Sequence, residues 1–227
     1  MPAPAHHSNV DAIERRWVAR AGKRFVRAFC TYFHELELRT PCPIPAKGGG
    51  ILVCNHTSSL DPVLLQAACP RVITWMMARE YADIRGLRWF FNAIEPITVE
   101  RSGRDMAATR AALRALRDGK ILGLFPEGRI ESGGELLEFQ TGVSLLAIKS
   151  GAPVYPAYLD GAQRRRGMAE AIVVPAHATL AFGPPITLED DDPHKPEGRD
   201  VLQAATRQIR DAVAALAGPP MPHGRSI

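Results

Sequence analysis

Short apolar segments recur along the chain, and they constrain the fold more than any other feature of the sequence. Each is short enough for a strand and is bounded by Gly, Pro or charged residues. These segments are 51–54, 72–77, 97–99, 120–125, 153–159, 172–174 and 179–182. Helical periodicity occupies 61–68, about 105–117, 139–150 and 197–217. Strands that alternate with helices predict an α/β fold with a mixed, largely parallel sheet and helices on both of its faces.

The composition is that of a folded protein. The 227 residues are 46% hydrophobic and 23% charged, which is enough for one sizeable core. We expect an N-terminal leader and amphipathic helix over 1–45, the main domain over 46–217 and a flexible tail over 218–227. The net charge of +4 suits an anionic partner but does not choose among nucleic acid, a membrane and a phosphorylated metabolite.

Cysteine spacing gives no sign of a metal site or a disulfide framework. The four cysteines are Cys30, Cys42, Cys54 and Cys69, and none forms a C-x-x-C pair. We therefore expect reduced thiols in a cytoplasmic protein, with no bound metal. The first residues lack the apolar core of a signal peptide, so no secretory leader is expected. The longest uncharged stretch, 171–188, is broken by Pro and Gly and does not read as a membrane span.

The segment 11–38 is predicted to be a helix that lies in a membrane interface. One side of its helical wheel is apolar and carries Trp17, Phe25 and Phe29. The opposite side is basic, with Arg16, Arg20, Lys23, Arg24, Arg27 and His34. Aromatic rings can enter the acyl boundary while the cations meet lipid phosphates, so we expect Trp17, Arg20, Phe25, Arg27 and Phe29 to contact the membrane. The alternative is a helix docked on its own domain with a solvated basic face.

A histidine and an aspartate follow the strand at 51–54, in the order Asn55-His56-Thr57-Ser58-Ser59-Leu60-Asp61. Asp61 can accept the Nδ1 hydrogen of His56, which leaves Nε2 to act as a general base. Ser58 and Ser59 are expected to cap the helix that follows. The chain has no G-x-S-x-G nucleophile elbow, so the predicted nucleophile is a substrate hydroxyl.

A second polar turn follows the strand at 120–125. Phe125-Pro126-Glu127-Gly128-Arg129 lies where ligands bind in open α/β sheets, at the carboxyl end of a strand. Glu127 can hold a hydroxyl group, and Arg129 can hold a phosphate. Arg101 also stands just past a strand end. A solvated surface turn is the alternative for each of these residues.

Together these blocks resemble a known family. Four blocks occur in the order found in the glycerolipid acyltransferases. They are Asn-His followed by four residues and Asp, an Arg past a short strand, Phe-Pro-Glu-Gly, and Val-Tyr-Pro-Ala. The chain is most similar to the 1-acylglycerol-3-phosphate acyltransferases over residues 53–158. The third block departs from the common Phe-Pro-Glu-Gly-Thr-Arg-Ser, because Arg129-Ile130-Glu131-Ser132 follows Gly128. This departure leaves the acceptor headgroup open.

The resemblance implies acyl transfer from acyl-CoA or acyl-carrier protein to a lysophospholipid, with no cofactor or metal. It gives His56 the role of base and Asp61 that of its orienter. Arg101, Glu127, Gly128 and, by substitution for the displaced arginine, Arg129 would bind the glycerol phosphate. The expected location is the cytoplasmic face of the membrane, peripheral or monotopic. Two alternatives remain: another lyso-lipid as acceptor, such as lyso-ornithine lipid, or a non-catalytic membrane-surface protein. A nucleic-acid partner is not expected, because no nucleic-acid motif appears.

Overall fold

The structure is a computed structural model, and it describes residues 22–79, 96–100, 105–131, 133–162, 168–188 and 198–218. Its strands are β1 (Glu37–Leu38), β2 (Gly50–Cys54), β3 (Ile73–Ala78), β4 (Ile97–Val99), β5 (Ile121–Leu124), β6 (Val154–Asp160) and β7 (Thr179–Phe182). Its helices are α1 (22–32), α2 (Asp61–Ala68), α3 (Met106–Arg117), α4 (Gly142–Ser150), α5 (Met168–Val173) and α6 (Arg199–Ala214).

These strands form one seven-stranded sheet in the order β1-β7-β6-β2-β5-β3-β4. All neighbouring pairs are parallel except β6 and β7, which are antiparallel. The α/β class and the mixed, largely parallel sheet are thereby confirmed. The chain leaves β2 for β3 and returns to place β5 between them, so two strands that are distant in sequence lie side by side. The carboxyl ends of β2 and β5 therefore meet at one edge of the sheet.

Each face of the sheet is covered by its own hydrophobic core. Leu52, Trp75 and Tyr155 point toward the side that holds α2, while Ile51, Val53 and Val154 point toward the side of α4 and α6. Successive residues of a strand alternate between the faces, so the continuous apolar runs fill both cores. Full burial of each large aliphatic side chain contributes about 1.5–3 kcal/mol, which makes these strands the rigid base of the edge loops.

The N-terminal helix is present, but it ends earlier than the sequence predicts. Glu35 has a φ of +42°, and the amide of Leu36 bonds to the carbonyl of Cys30 at 3.0 Å. This left-handed turn redirects the chain into β1, which pairs with β7. The predicted helical stretch up to residue 38 is therefore wrong at its end. The predicted domain boundary near residue 45 stays a prediction.

The prediction for His34 is also wrong, since its side chain does not lie on a solvated basic face. It is fully buried beyond the end of α1, and its ring meets Phe29 and Phe33 edge-on at centroid distances of 4.9 and 5.0 Å. Burial lowers the pKa of His34, which favours the neutral ring. Helix α1 ends at residue 32, so His34 no longer follows the helical wheel, and its side chain is buried instead.

Two other boundaries differ from the sequence prediction. The expected strand at 172–174 is wrong, because residues 172 and 173 belong to helix α5, where Ala171 and Ile172 both pack on the same core. Adjacent residues of a strand would point to opposite faces, so this packing requires a helix. Helix α4 begins at Gly142 rather than at 139, because Gln140 is held by a bond from its amide to the carbonyl of Pro126 at 2.9 Å.

Within the described residues, no helix combines the length and the hydropathy that crossing a membrane demands.

Candidate active site

The site is built at the edge where β2 and β5 end. These strands pair in parallel with Val53 opposite Leu124, so His56 and Glu127 leave the sheet from neighbouring positions. The amide of His56 donates to Glu127 Oε1 at 3.1 Å, and the amide of Glu131 donates to the carbonyl of His56 at 2.7 Å. The two loops that the sequence predicts to carry chemistry are thus joined to each other by the backbone of His56.

Asp61 is the centre of the first loop. Its Oδ2 accepts from the amides of Thr57 and Ser58 at 2.7 and 2.8 Å and lies 2.9 Å from Nδ1 of His56. The residue is fully buried, whereas the His56 side chain is 17% exposed. The four-residue gap allows this because Asp61 opens α2 and its side chain reaches back over the loop. One carboxylate oxygen therefore folds the loop and holds the imidazole.

The expected serine cap of α2 is wrong. Leu60 occupies the N-cap position, and its side chain makes no capping bond. Ser58 instead accepts the amide of Leu60 through Oγ at 3.2 Å, inside the loop. The carboxylate of Asp61 in the first turn complements the positive end of the helix dipole, so a serine cap is not needed there.

Asn55 fixes the root of the same loop. Its Nδ2 donates to the carbonyl of Leu159 at 2.9 Å, and its Oδ1 accepts the amide of Leu159 at 2.8 Å. The side-chain amide thereby continues the pairing of β2 with β6 beyond the last backbone pair, Cys54 with Ala157. These two hydrogen bonds hold the backbone of His56 at a set distance from the sheet.

Glu127 points into the protein from the end of β5. Its side chain is buried, and Oε2 has no hydrogen-bond partner among the described residues. Burial raises the pKa of its carboxyl group, while the bond from the His56 amide acts in the opposite direction. Glu127 thus contacts the His56 loop through Oε1, and a backbone hydrogen bond from Leu137 also lowers the pKa of its carboxyl group.

Aromatic rings form one wall of the site. The imidazole of His56 stacks on Phe125 with a centroid distance of 4.0 Å and an interplanar angle of 14°. Phe125 also stacks on Trp75 of β3, with a centroid distance of 5.0 Å and an interplanar angle of 5°. Trp75 is buried and Phe125 is half-buried, so the stack runs from the core to the imidazole.

The turn after Glu127 is open to solvent. Gly128 has a φ of +70°, a backbone conformation that favours glycine, and its amide donates to the carbonyl of Phe125 at 3.1 Å. Arg129 and Ile130 are exposed beside it. The structure thus brings His56, Asp61, Glu127 and the Gly128 turn together. Arg101 lies outside the described residues.

The residues predicted to contact a membrane are only partly described. Phe25 is 70% exposed and Arg27 is exposed, while Phe29 is half-buried against the core and stacks on Phe25. Trp17 and Arg20 lie outside the described residues. Helix α1 therefore docks on its own domain through part of its apolar face and leaves another part in solvent.

The arrangement can perform general base chemistry. Asp61 is placed to take the Nδ1 hydrogen, and Nε2 then carries the free lone pair for a hydroxyl proton. In the part of the chain that the structure describes, no three His, Cys, Asp or Glu side chains cluster as metal ligands would.

Sequence comparison places the chain in a family. The family model described as Acyltransferase matches residues 35–160, which is more than half of the 227 residues. The chain belongs to the acyltransferase family. All the described site residues, His56, Asp61, Glu127, Gly128 and Arg129, lie inside the matched range.

Two curated relatives of this chain show how far the similarity extends. A 1-acyl-sn-glycerol-3-phosphate acyltransferase of Borreliella burgdorferi is 32% identical over 120 residues, which cover 51% of this chain and 47% of the relative. A lyso-ornithine lipid O-acyltransferase of Rhodobacter capsulatus is 35% identical over 98 residues, covering 43% of this chain and 35% of the relative. The chain spans about half the length of the curated relatives that it matches.

The fold of this chain is also found in a solved structure. The 1-acyl-sn-glycerophosphate (LPA) acyltransferase PlsC from Thermotoga maritima superposes with a TM-score of 0.66 at 22% identity. The alignment covers 90% of this chain and 82% of that chain. This likeness extends the shared fold beyond the range that the family model matches.

Sequence reasoning missed Asn55, Phe125 and Trp75 as parts of the site. Asn55 directly precedes His56, and Phe125 stands two residues before Glu127, so both lie within the sequence motifs that carry the predicted site. Trp75 lies in the middle of a strand in another part of the sequence. Only the order of strands in the sheet shows that it stands next to β5.

We predict that Asn55→Ala lowers the free energy of unfolding by about 2–4 kcal/mol, because it leaves the buried amide and carbonyl of Leu159 without partners. Asn55→Asp should be worse at neutral pH, since a carboxylate oxygen would then face the carbonyl of Leu159. Urea unfolding at neutral and acidic pH measures both effects. Equal stability of Asn55→Ala and the parent protein would show that the bonds to Leu159 do not hold this loop.

Proposed function

We propose that this chain is an O-acyltransferase that moves a fatty acyl group onto the free hydroxyl of a lysophospholipid. The best-supported acceptor is 1-acylglycerol-3-phosphate, which would give phosphatidic acid. The observation that carries the proposal is the contact between His56 and the buried Asp61, which leaves Nε2 for the substrate. Membership of the acyltransferase family and the names of the relatives support it. The acyl donor would be acyl-CoA or acyl-carrier protein, with no cofactor.

The proposed reaction has one nucleophile and one proton carrier. Nε2 of His56 takes the proton of the acceptor hydroxyl as its oxygen attacks the thioester carbonyl. The tetrahedral intermediate collapses, the new ester forms, the carbon–sulfur bond breaks, and the thiolate takes the proton from the imidazolium. Asp61 stabilises that imidazolium. The amides of His56, Thr57 and Ser58 already have acceptors, and so do those of Gly128 and Glu131. We therefore assign oxyanion stabilisation to the amides of Arg129 and Ile130 in the turn after Glu127.

The acceptor headgroup would lie on the exposed turn beside the imidazole. Arg129 is exposed there and can pair with a phosphate, and Arg101 is the second proposed phosphate ligand. Gly128 allows the backbone to approach the ligand closely. Glu127 would hold the loop of His56 in the free enzyme, and its unpartnered Oε2 offers an acceptor to a substrate hydroxyl if the turn opens.

We predict that His56→Ala lowers the rate of acyl transfer by roughly 10²- to 10⁴-fold without unfolding the protein, because a general base supplies about that factor. The matched control is His177→Ala, which removes an exposed histidine that pairs with Glu35 away from the site. The assay follows the release of free thiol from an acyl thioester, and circular dichroism checks the fold. Near-normal transfer by His56→Ala would contradict the assignment of the base.

Two observations favour a second acceptor. The relative from Rhodobacter capsulatus acts, by its name, on lyso-ornithine lipid, and its identity to this chain is 35%. The third sequence block also departs from the common form where Arg129 and Ile130 stand. Lyso-ornithine lipid has no phosphate, so its binding would not depend on the exposed Arg129.

The acceptor is decided by offering purified protein a panel of lyso-lipids with labelled acyl-CoA and acyl-carrier protein of several chain lengths. We expect 1-acylglycerol-3-phosphate to be acylated fastest, and Arg129→Ala to raise the KM for it. Preference for lyso-ornithine lipid, with no effect of Arg129→Ala, would support the second acceptor. Vesicle binding without transfer to any acceptor would favour a non-catalytic membrane protein.

We propose that the protein works at the cytoplasmic face of a membrane as a peripheral or monotopic enzyme, with α1 as its contact. Phe25 and Tyr32 are 70% and 84% exposed on this helix, beside the exposed Arg24 and Arg27. Exposed aromatic rings next to cations suit the boundary of an anionic bilayer. Trp17 and Arg20 would extend the same contact. Phe29 would act indirectly, since it stacks between Phe25 and Phe33.

We predict that Arg20→Glu combined with Arg27→Glu releases the protein from anionic vesicles, because it reverses the attraction to lipid phosphate. Phe25→Ser should weaken binding through loss of the inserted ring. Val201→Ser is the control, because it removes an exposed apolar side chain, 54% exposed, from α6 on the other face of the sheet. Flotation on vesicles with anionic lipid measures all of them. Unchanged flotation of the α1 variants would refute the membrane contact.

A further inference from the structure

We propose that Phe125 and Trp75 are positioning residues, which hold the imidazole of His56 in the orientation that catalysis needs. This inference rests on the proposed function, in which His56 is the base. It extends the machinery from the two edge loops to a third strand, β3, which carries none of the sequence blocks.

The stack crosses three neighbouring strands. His56 follows β2, Phe125 follows β5, and Trp75 lies within β3, so each ring comes from the next strand across the sheet. Trp75 pairs in register with Gly123, two residues before Phe125. The indole is 4% exposed and packs in the core, so it supports Phe125 from behind as a fixed surface.

Gly123 makes this arrangement possible. A Cβ atom at Gly123 would lie 2.5 Å from Cε3 and 2.6 Å from Cζ3 of Trp75, and 2.5 Å from Cγ2 of Ile73. These distances are far shorter than any van der Waals contact, and a buried indole cannot move aside cheaply. The indole therefore lies across β5 at the one residue without a side chain, and this places it flat against Phe125.

The imidazole needs such support because Asp61 contacts it at a single atom. One bond at Nδ1 fixes the position of that nitrogen but allows the ring to tilt about the line from Nδ1 to Oδ2, which moves Nε2. A parallel ring 4.0 Å away removes the tilt. The face of a phenyl ring is also negative, so it favours the imidazolium that forms when the proton arrives. Phe125 thus acts on the base and not on the substrate.

The first test is kinetic. Phe125→Leu keeps an apolar side chain but removes the ring, and we expect kcat to fall by about 10- to 100-fold, because a displacement of about 1 Å in a catalytic group costs on that order. The KM values for both substrates should change little. Phe125→Tyr and Trp75→Phe keep a ring at each position and should restore most of kcat. Phe182→Leu, in the same core but on β7, is the matched control for general destabilisation.

The second test asks whether Phe125 acts through His56. In a His56→Ala background, Phe125→Leu should cause no further loss of the residual rate, because the residue that it positions is gone. A loss as large as in the parent protein would overturn the inference, and so would equal kcat values for Phe125→Leu and Phe182→Leu. If His56→Ala is itself fully active, the proposed function fails. If only Phe125→Leu is fully active, the proposed function stands and this inference fails.

A third test needs no activity. A phenyl ring stacked on an imidazole shifts the carbon-bound ring protons of His56 upfield in the NMR spectrum. Phe125→Leu should remove this shift, Trp75→Leu should reduce it, and Phe182→Leu should leave it unchanged. The resonances are assigned by their loss in His56→Ala. An unchanged shift in Phe125→Leu would show that the two rings do not stack.

Discussion

The carboxylate of Asp61 is the interaction on which the site depends. Its Oδ2 binds two loop amides and the imidazole, while Oδ1 is buried without a partner among the described residues. A buried carboxylate is costly unless its charge is matched, and here two N–H dipoles, a helix N-terminus and the histidine match it. The same atom therefore determines the loop conformation and the tautomer of His56. The conformation of the loop and the tautomer of the proposed base therefore depend on the same carboxylate oxygen.

The sheet topology supplies the second carboxylate. Because β5 inserts next to β2, Glu127 approaches the backbone of His56 from a point more than seventy residues further along the chain. Asn55 secures the loop from the other side through β6, the other neighbour of β2. The base is thus fixed through its ring, its amide and its preceding residue, each by a different strand or helix. This fixation is what a loop requires if it is to serve as catalytic machinery.

The class of fold was predictable because apolar runs and helical periods alternate clearly, and the His56–Asp61 contact was predictable because its two residues are close in sequence. The end of α1 was not, since a helical wheel carries no sign of the left-handed turn at Glu35. Helix α5 was mistaken for a strand because Ile172-Val173-Val174 is β-branched, a preference that core packing overrides. The place of Trp75 in the site could not be predicted, because it depends on which strands are neighbours in the sheet.

The wall of rings and the two carboxylates have one electrostatic effect in common. His56 is surrounded by negative potential from Oδ2 of Asp61, Oε1 of Glu127 and the face of Phe125. Both carboxylates are buried. Burial raises the pKa of Glu127, so this negative environment is itself costly. In the proposed reaction, the positive charge that forms on the imidazole as the acceptor hydroxyl gives up its proton would offset part of that cost. The same negative environment would stabilise the imidazolium that forms in the proposed acyl transfer.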